Sequence, residues 1–118
     1  MSMADKIQTS ILMLIIQRPL TMRLFTAVND RNFTEASGGG YQPIEVDRSK
    51  WRLEDSQVEG QTVYFKFDGT AAIKALGAYL TDSDGTVLWA HSFEKPIEVR
   101  RDGDILPVRP TIRMMTVI

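Results

Sequence analysis

A single imidazole, His91, stands in a chain without any cysteine, so its acid–base or nucleophilic chemistry would rest on carboxylates, hydroxyls and that one ring. Multi-histidine and thiolate metal centres have no ligands here, and a nucleophile–histidine pair would have to form around His91 alone. The chain therefore reads as a non-enzyme. His91 alternates with Trp89 and Phe93, which places the three on one face of an extended strand and suits a packing or interface role. Its reference pKa near neutrality leaves a pH-sensing role open.

Two Asp-x-Asp groups carry the next strongest chemical signal. Asp82, Asp84 and Gly85 imitate part of a calcium loop, and Asp102 and Asp104 repeat the arrangement around Gly103. An EF-hand also needs ligands at later fixed positions, a bidentate glutamate and flanking helices. Those are lacking, and aspartates that hydrogen-bond their own turns account for both groups without an ion. Glu35, Glu45, Asp47, Glu54, Asp55 and Glu59 could furnish the two acids of a glycosidase, yet each lies in a polar or turn context that reads as a solvated face. Gly38-Gly39-Gly40 has neither the Lys-Ser/Thr nor the strand-to-helix setting of a phosphate-cradling loop. Among the larger rings, Trp89 reads as core, whereas Tyr41 and Trp51, flanked by polar residues and glycine, are expected on an outer surface. No cofactor or metal is implied.

The elements that must position these groups are mostly strands. Asp5 to Gln17 has Ile7, Ile11, Leu12, Leu14 and Ile15 at helical spacing, with Pro19 as a stop, which favours a short amphipathic helix; a buried strand over Ile11 to Ile16 is the competing assignment. From Leu20 the period becomes two, with Leu20, Met22 and Leu24 on one side. Asn29 to Gly40 reads as a long surface loop. Ile44 to Val46 and Trp51 to Leu53 are short strand candidates. Thr62 to Phe67 is the cleanest strand, with Val63, Phe65 and Phe67 inward. Ile73 to Thr81 and Thr86 to Phe93 flank Asp82-Ser-Asp-Gly85 as a β-hairpin, apolar on either face and so expected to be covered on both. Ile97 to Val99, Ile105 to Val108 and Thr111 to Ile118 complete the pattern. Roughly seven to nine short strands separated by turn signals suggest an all-β sandwich, with a jelly roll as one form of it. The expected organisation is an N-terminal helical segment over residues 1–19 and one β-sandwich domain over 20–118.

Composition narrows the partners. A chain of 118 residues is about one domain, large enough to bury roughly two thirds of the surface its unfolded form exposes. Fourteen basic and fifteen acidic residues, net charge −1, leave no footprint for a phosphate backbone or an acidic membrane. The longest apolar run, Ile11 to Ile16, is far short of the ~20 residues of a membrane-spanning helix, and Gln17-Arg18-Pro19 after it does not fit an export signal. Neither nucleic acid nor membrane is expected as a partner. The apolar stripe of the N-terminal segment and the final Met114 to Ile118 each need cover. A neighbouring subunit and the chain's own sandwich are equally good sources.

Taken in order, Met22-Arg-Leu-Phe25, Phe33-Thr-Glu-Ala-Ser37, Gly40-Tyr41, the Gly77 to Phe93 hairpin and Asp102-Gly-Asp-Ile-Leu-Pro-Val-Arg-Pro110 resemble a group of small phage-encoded virion structural proteins. The resemblance implies a capsid decoration or cement protein, made in the host cytoplasm and seated on the capsid exterior. Its partner would be the major capsid protein, and a homo-oligomer is expected. On that reading the contact residues are Ile7, Ile11 and Ile15 in the N-terminal segment, Phe33, Glu35 and Tyr41 in the Asn29 to Tyr41 stretch, Trp51, and Met114 and Val117 at the apolar end. A tail or receptor-binding β-domain that recognises host-surface carbohydrate is the alternative.

Overall fold

The computed structural model describes Leu14, residues 17–54 and residues 57–113. The expected N-terminal helix lies largely outside them, although Leu14 itself is helical and exposed. Ile7, Ile11, Ile15, Met114 and Val117 also lie outside the described residues.

The chain is mainly β. Among the described residues the strands are β1 (Thr21–Asn29), β2 (Asn32–Glu35), β3 (Ile44–Glu45), β4 (Arg52–Glu54), β5 (Gln57–Glu59), β6 (Val63–Asp68), β7 (Ile73–Thr81), β8 (Val87–Val99), β9 (Asp102–Val108) and β10 (Thr111–Arg113), with one 3-10 turn over Arg48–Lys50. They form antiparallel sheets of five strands (β2-β1-β7-β8, with β3 also on β1), three strands (β10-β5-β4) and two strands (β6-β9). That division differs from the paired four-stranded sheets of a jelly roll.

One apolar cluster joins all three sheets. Met22, Leu24, Ala78 and Leu80 come from the large sheet and Leu20 from just before it, Phe65, Leu106 and Val108 from β6 and β9, and Val58 and Ile112 from β5 and β10. Each fully buried side chain of this size contributes about 1.5–3 kcal/mol by leaving water, so in a chain without cysteine the seam between sheets carries the fold. The alternation read for β6 is observed, with Val63, Phe65 and Phe67 buried and Tyr64 and Lys66 exposed.

Strand β7 lies between β1 and β8 and is buried on both faces from Gly77 to Thr81, as its composition suggested, whereas its first part alternates, with Ile73 and Ala75 buried and Lys74 exposed. Ile73 and Ala75 reach the core at odd positions, whereas Ala78 and Leu80 reach it at even ones. The switch coincides with an irregularity between Ala75 and Gly77, where β8 passes from Ile97 to Ser92. The unequal count there, four residues of β8 against Leu76 alone, breaks the regular alternation of faces across the pair.

Three expectations are corrected. Strand β8 is not covered on both sides: it lies at the sheet edge, and Ala90, His91 and Ser92 are exposed. Thr86 to Phe93 and Ile97 to Val99 are one irregular strand rather than two. Asn29 to Gly40 is not a loop throughout, because Asn32–Glu35 pairs with β1 from Phe25 to Asn29 around Asp30, whose φ is 59°. The polar residues there hid a period of two, with Phe33 and Glu35 half-buried and Asn32 and Thr34 exposed.

Candidate functional site

Strand β1 needs a partner along its whole outer edge, and the short β2 and β3 leave a gap between them. The Ala36 amide donates to the Leu24 carbonyl at 2.9 Å. The Leu24 amide, which no strand reaches, donates to the Tyr41 hydroxyl at 3.0 Å, and that hydroxyl donates in turn to Glu35 Oε2 at 2.8 Å. A side chain thus stands in for a ladder residue, which meets the demand that buried backbone donors be paired. The Tyr41 ring stacks on Phe65 of the core, with centroids 5.8 Å apart.

The loop that delivers Tyr41 depends on Gly38-Gly39-Gly40, all with positive φ (78°, 60° and 79°). Gly39 is also pressed against its surroundings: a Cβ there would lie 2.8 Å from the Ala71 carbonyl oxygen. Its own carbonyl accepts the Asp68 amide at 2.9 Å, which fastens the loop to the end of β6. The glycines therefore shape a structural clasp rather than a phosphate cradle.

Glu35 links the clasp to the outer face of the large sheet. Its two oxygens accept from Arg23 Nη1 at 3.1 and 3.0 Å, while Arg23 Nε donates to Thr81 Oγ1 at 3.0 Å. Arg23 sits opposite Tyr79 in the register, and Phe25 sits opposite Gly77. Phe33 stacks on Tyr79 with centroids 5.0 Å apart and on the tilted Phe25 at 4.9 Å. Gly77 makes room for this packing, since a Cβ there would come within 2.5 Å of the Phe25 ring and collide with the His91 carbonyl. Beside the stack lies an open concavity of about 390 Å³, walled by Arg23, Arg31, Asn32, Phe33, Tyr79 and Val87.

The electrostatics follow from this packing. Burial pushes the Tyr41 hydroxyl well above the ordinary tyrosine range, the Leu24 amide opposes that, and the Glu35 carboxylate adds to it. Burial also raises Tyr79, with Glu35 adding and Arg23 opposing. Both hydroxyls remain protonated donors at neutral pH.

A second, wider groove of about 990 Å³ runs past Gln17, Val46, Asp47, Ser49, Trp51 and Leu53. Leu53 is 41% exposed at its rim. The Trp51 ring packs against the core, and its buried indole nitrogen has no hydrogen-bond partner among the described residues. At the groove's exposed side the Asp47 carboxylate accepts the Ser49 amide at 3.0 Å and the Ser49 hydroxyl at 2.7 Å. Those bonds hold its pKa below the ordinary carboxylate value.

The structure thus brings Phe33, Glu35 and Tyr41 together around Arg23 and sets Trp51 apart on the wide groove. Tyr41 and Trp51, expected on an outer surface, are half-buried and packed inward, because the hydroxyl of one and the ring of the other complete the core edge. Trp89, His91 and Phe93 do form a row, with ring centroids 6.1 and 6.0 Å apart. Both Asp-x-Asp groups cap their own turns: Asp82 Oδ1 accepts the Asp84 and Thr86 amides, and Asp104 Oδ2 accepts those of Arg100 and Arg101. Sequence reasoning missed Arg23, Arg31, Tyr79 and Thr81 as a group. A lone arginine between Met22 and Leu24 was the available signal, but only the register of β1 against β7 shows what it faces. No protein-family model, curated protein or solved structure matches the chain.

Proposed function

We propose that the chain is a virion structural protein, a decoration protein that binds an assembled capsid and bridges neighbouring capsomers. The observation that carries this reading is the wide groove beside Trp51. It is broad and open, with Leu53 exposed at its rim and an indole N–H lacking an acceptor among the described residues. Such a surface suits a partner's chain better than a small enclosed substrate: it offers apolar contact to a protruding segment and a donor that a carbonyl could satisfy if the ring shifted slightly. The resemblance of the ordered motifs to small phage virion proteins supplies the kind of partner, the major capsid protein.

The work of such a protein is mechanical. It binds the assembled shell more tightly than free subunits, and linkage converts that difference into shell stability. About 1.4 kcal/mol per copy already shifts each site's equilibrium tenfold. The test is to mix purified protein with expanded shells lacking it, pellet them, and measure copies bound and the shell melting temperature. Saturable, near-stoichiometric binding with a raised melting temperature is expected. Protein left in the supernatant at all concentrations overturns the proposal.

A further inference from the structure

The concavity on the outer face of the large sheet holds more hydrogen-bond donors than acceptors to receive them. Of the five donors of Arg23, Nε is taken by Thr81 and those of Nη1 by Glu35. Nη2 makes no hydrogen bond to the described residues. Among the described residues, Arg31, exposed in the β1–β2 turn, makes no ion pair or side-chain hydrogen bond, and neither does the Asn32 amide or the hydroxyl of the largely buried Tyr79. The cavity lining includes two guanidinium groups and no carboxylate, and Glu35 behind it is already shared by Arg23 and Tyr41. The site therefore carries surplus positive charge, and at the half-buried Arg23 a charge-assisted bond is stronger than in open water.

The walls add a second requirement. Phe33 is half-buried and backed by Tyr79, and Val87 is 40% exposed across the cavity. The volume of about 390 Å³ exceeds what a bare carboxylate fills and falls within the range of small-ligand sites. An aromatic ring beside fixed polar donors suits a saccharide, whose C–H face lies on the ring while its hydroxyls and acid group turn to the donors.

We propose that this concavity binds an acidic saccharide, a sugar ring bearing a carboxylate. The carboxylate meets Arg31 and the free Nη2 edge of Arg23, the ring lies against Phe33, and Tyr79 and Asn32 donate to its oxygens. The site is separate from the Trp51 groove, so it stands or falls independently of capsid binding.

The experiment is a titration of the full chain, followed by chemical-shift changes, with glucuronate, glucose and acetate in parallel. Glucuronate is expected to bind saturably at least tenfold more tightly than either glucose or acetate, and added salt should weaken it. Arg31→Ala, an exposed turn substitution that leaves the fold intact, should weaken glucuronate tenfold or more and leave glucose unchanged. Tyr79→Phe, which keeps the ring stack, should weaken it severalfold. Equal binding of glucuronate and glucose overturns the proposal, as does glucuronate affinity unaffected by Arg31→Ala. Acetate binding as tightly as glucuronate also overturns it, because the sugar ring would then contribute nothing.

Discussion

Tyr41 does the work of a missing strand residue with one oxygen, which makes it the most informative side chain to change. Tyr41→Phe keeps the ring on Phe65 but leaves the Leu24 amide without its acceptor. An unpaired buried donor costs about 1–3 kcal/mol, so denaturant unfolding at pH 7 should show a loss in that range. The hydroxyl also couples the fold to alkaline pH. Its pKa is raised in the folded state, chiefly by burial, so the unfolded chain ionises first as pH climbs past the ordinary tyrosine value of 10.0. The folded state then holds more protons than the unfolded one, and stability falls with rising pH. Unfolding free energies measured from pH 8 to 11 should decline in the wild type above about pH 10 and decline less steeply in Tyr41→Phe; parallel curves would show that the hydroxyl does not couple to folding. Gly77→Ala probes the other side of the sheet. Overpacking of this kind costs about 1–3 kcal/mol, and the methyl would meet backbone as well as the Phe25 ring, so the upper part of that range is expected from the same unfolding assay.

Among the elements, β8 shows how an exposed edge is kept from recruiting other chains. Between its pairings at Ser92 and Ile97 lie Phe93-Glu94-Lys95-Pro96, opposite a single β7 residue, Leu76. Two charges, a proline without an amide proton and a local bulge are the known means of blunting an edge. Replacing Glu94-Lys95-Pro96 by Thr-Val-Thr should leave the melting temperature nearly unchanged and speed aggregation severalfold by light scattering; unchanged scattering would remove the protective role. The turn after β8 has its own acid dependence. The amides of Arg101 and Arg100 hold the Asp104 carboxyl below its ordinary pKa, so the bonds are intact above the ordinary carboxylate value and are lost as pH falls below it. Asp104→Asn should therefore flatten the loss of melting temperature between about pH 5 and 3.

These elements also mark how far the sequence could be read. Strand β6 and the β7–β8 hairpin were legible because alternation and an Asp-Ser-Asp-Gly turn are local signals. The β2 strand was hidden by polar residues at its solvent face. The Arg23 network was hidden more deeply, since nothing local sets β1 against β7 across some fifty residues of chain. Tyr41 looked like a surface ring because glycine precedes it, whereas those glycines are what turn it inward.

At the scale of the whole molecule, the question is whether three sheets behave as one cooperative unit. Their pairings are distant in sequence: β1 with β7, β5 with β10 and β6 with β9. Loop closure must precede most of the stabilising contact, so folding is expected on the millisecond-to-second scale, on the order of 1–1000 s⁻¹. The two tryptophans make cooperativity measurable. Trp51 immediately precedes β4 in the small sheet and Trp89 lies on β8 of the large one, so Trp51→Phe and Trp89→Phe each leave a reporter on a different sheet. Because Val58 and Ile112 share one cluster with Leu24 and Leu80, the small sheet has no separate core on which to persist. In each variant the remaining tryptophan should therefore report the same unfolding midpoint and folding rate as far-ultraviolet circular dichroism on that variant. A fluorescence midpoint displaced from the dichroism midpoint would show that β4, β5 and β10 open independently, and the Trp51 groove would then belong to the part of the molecule that a binding partner could order.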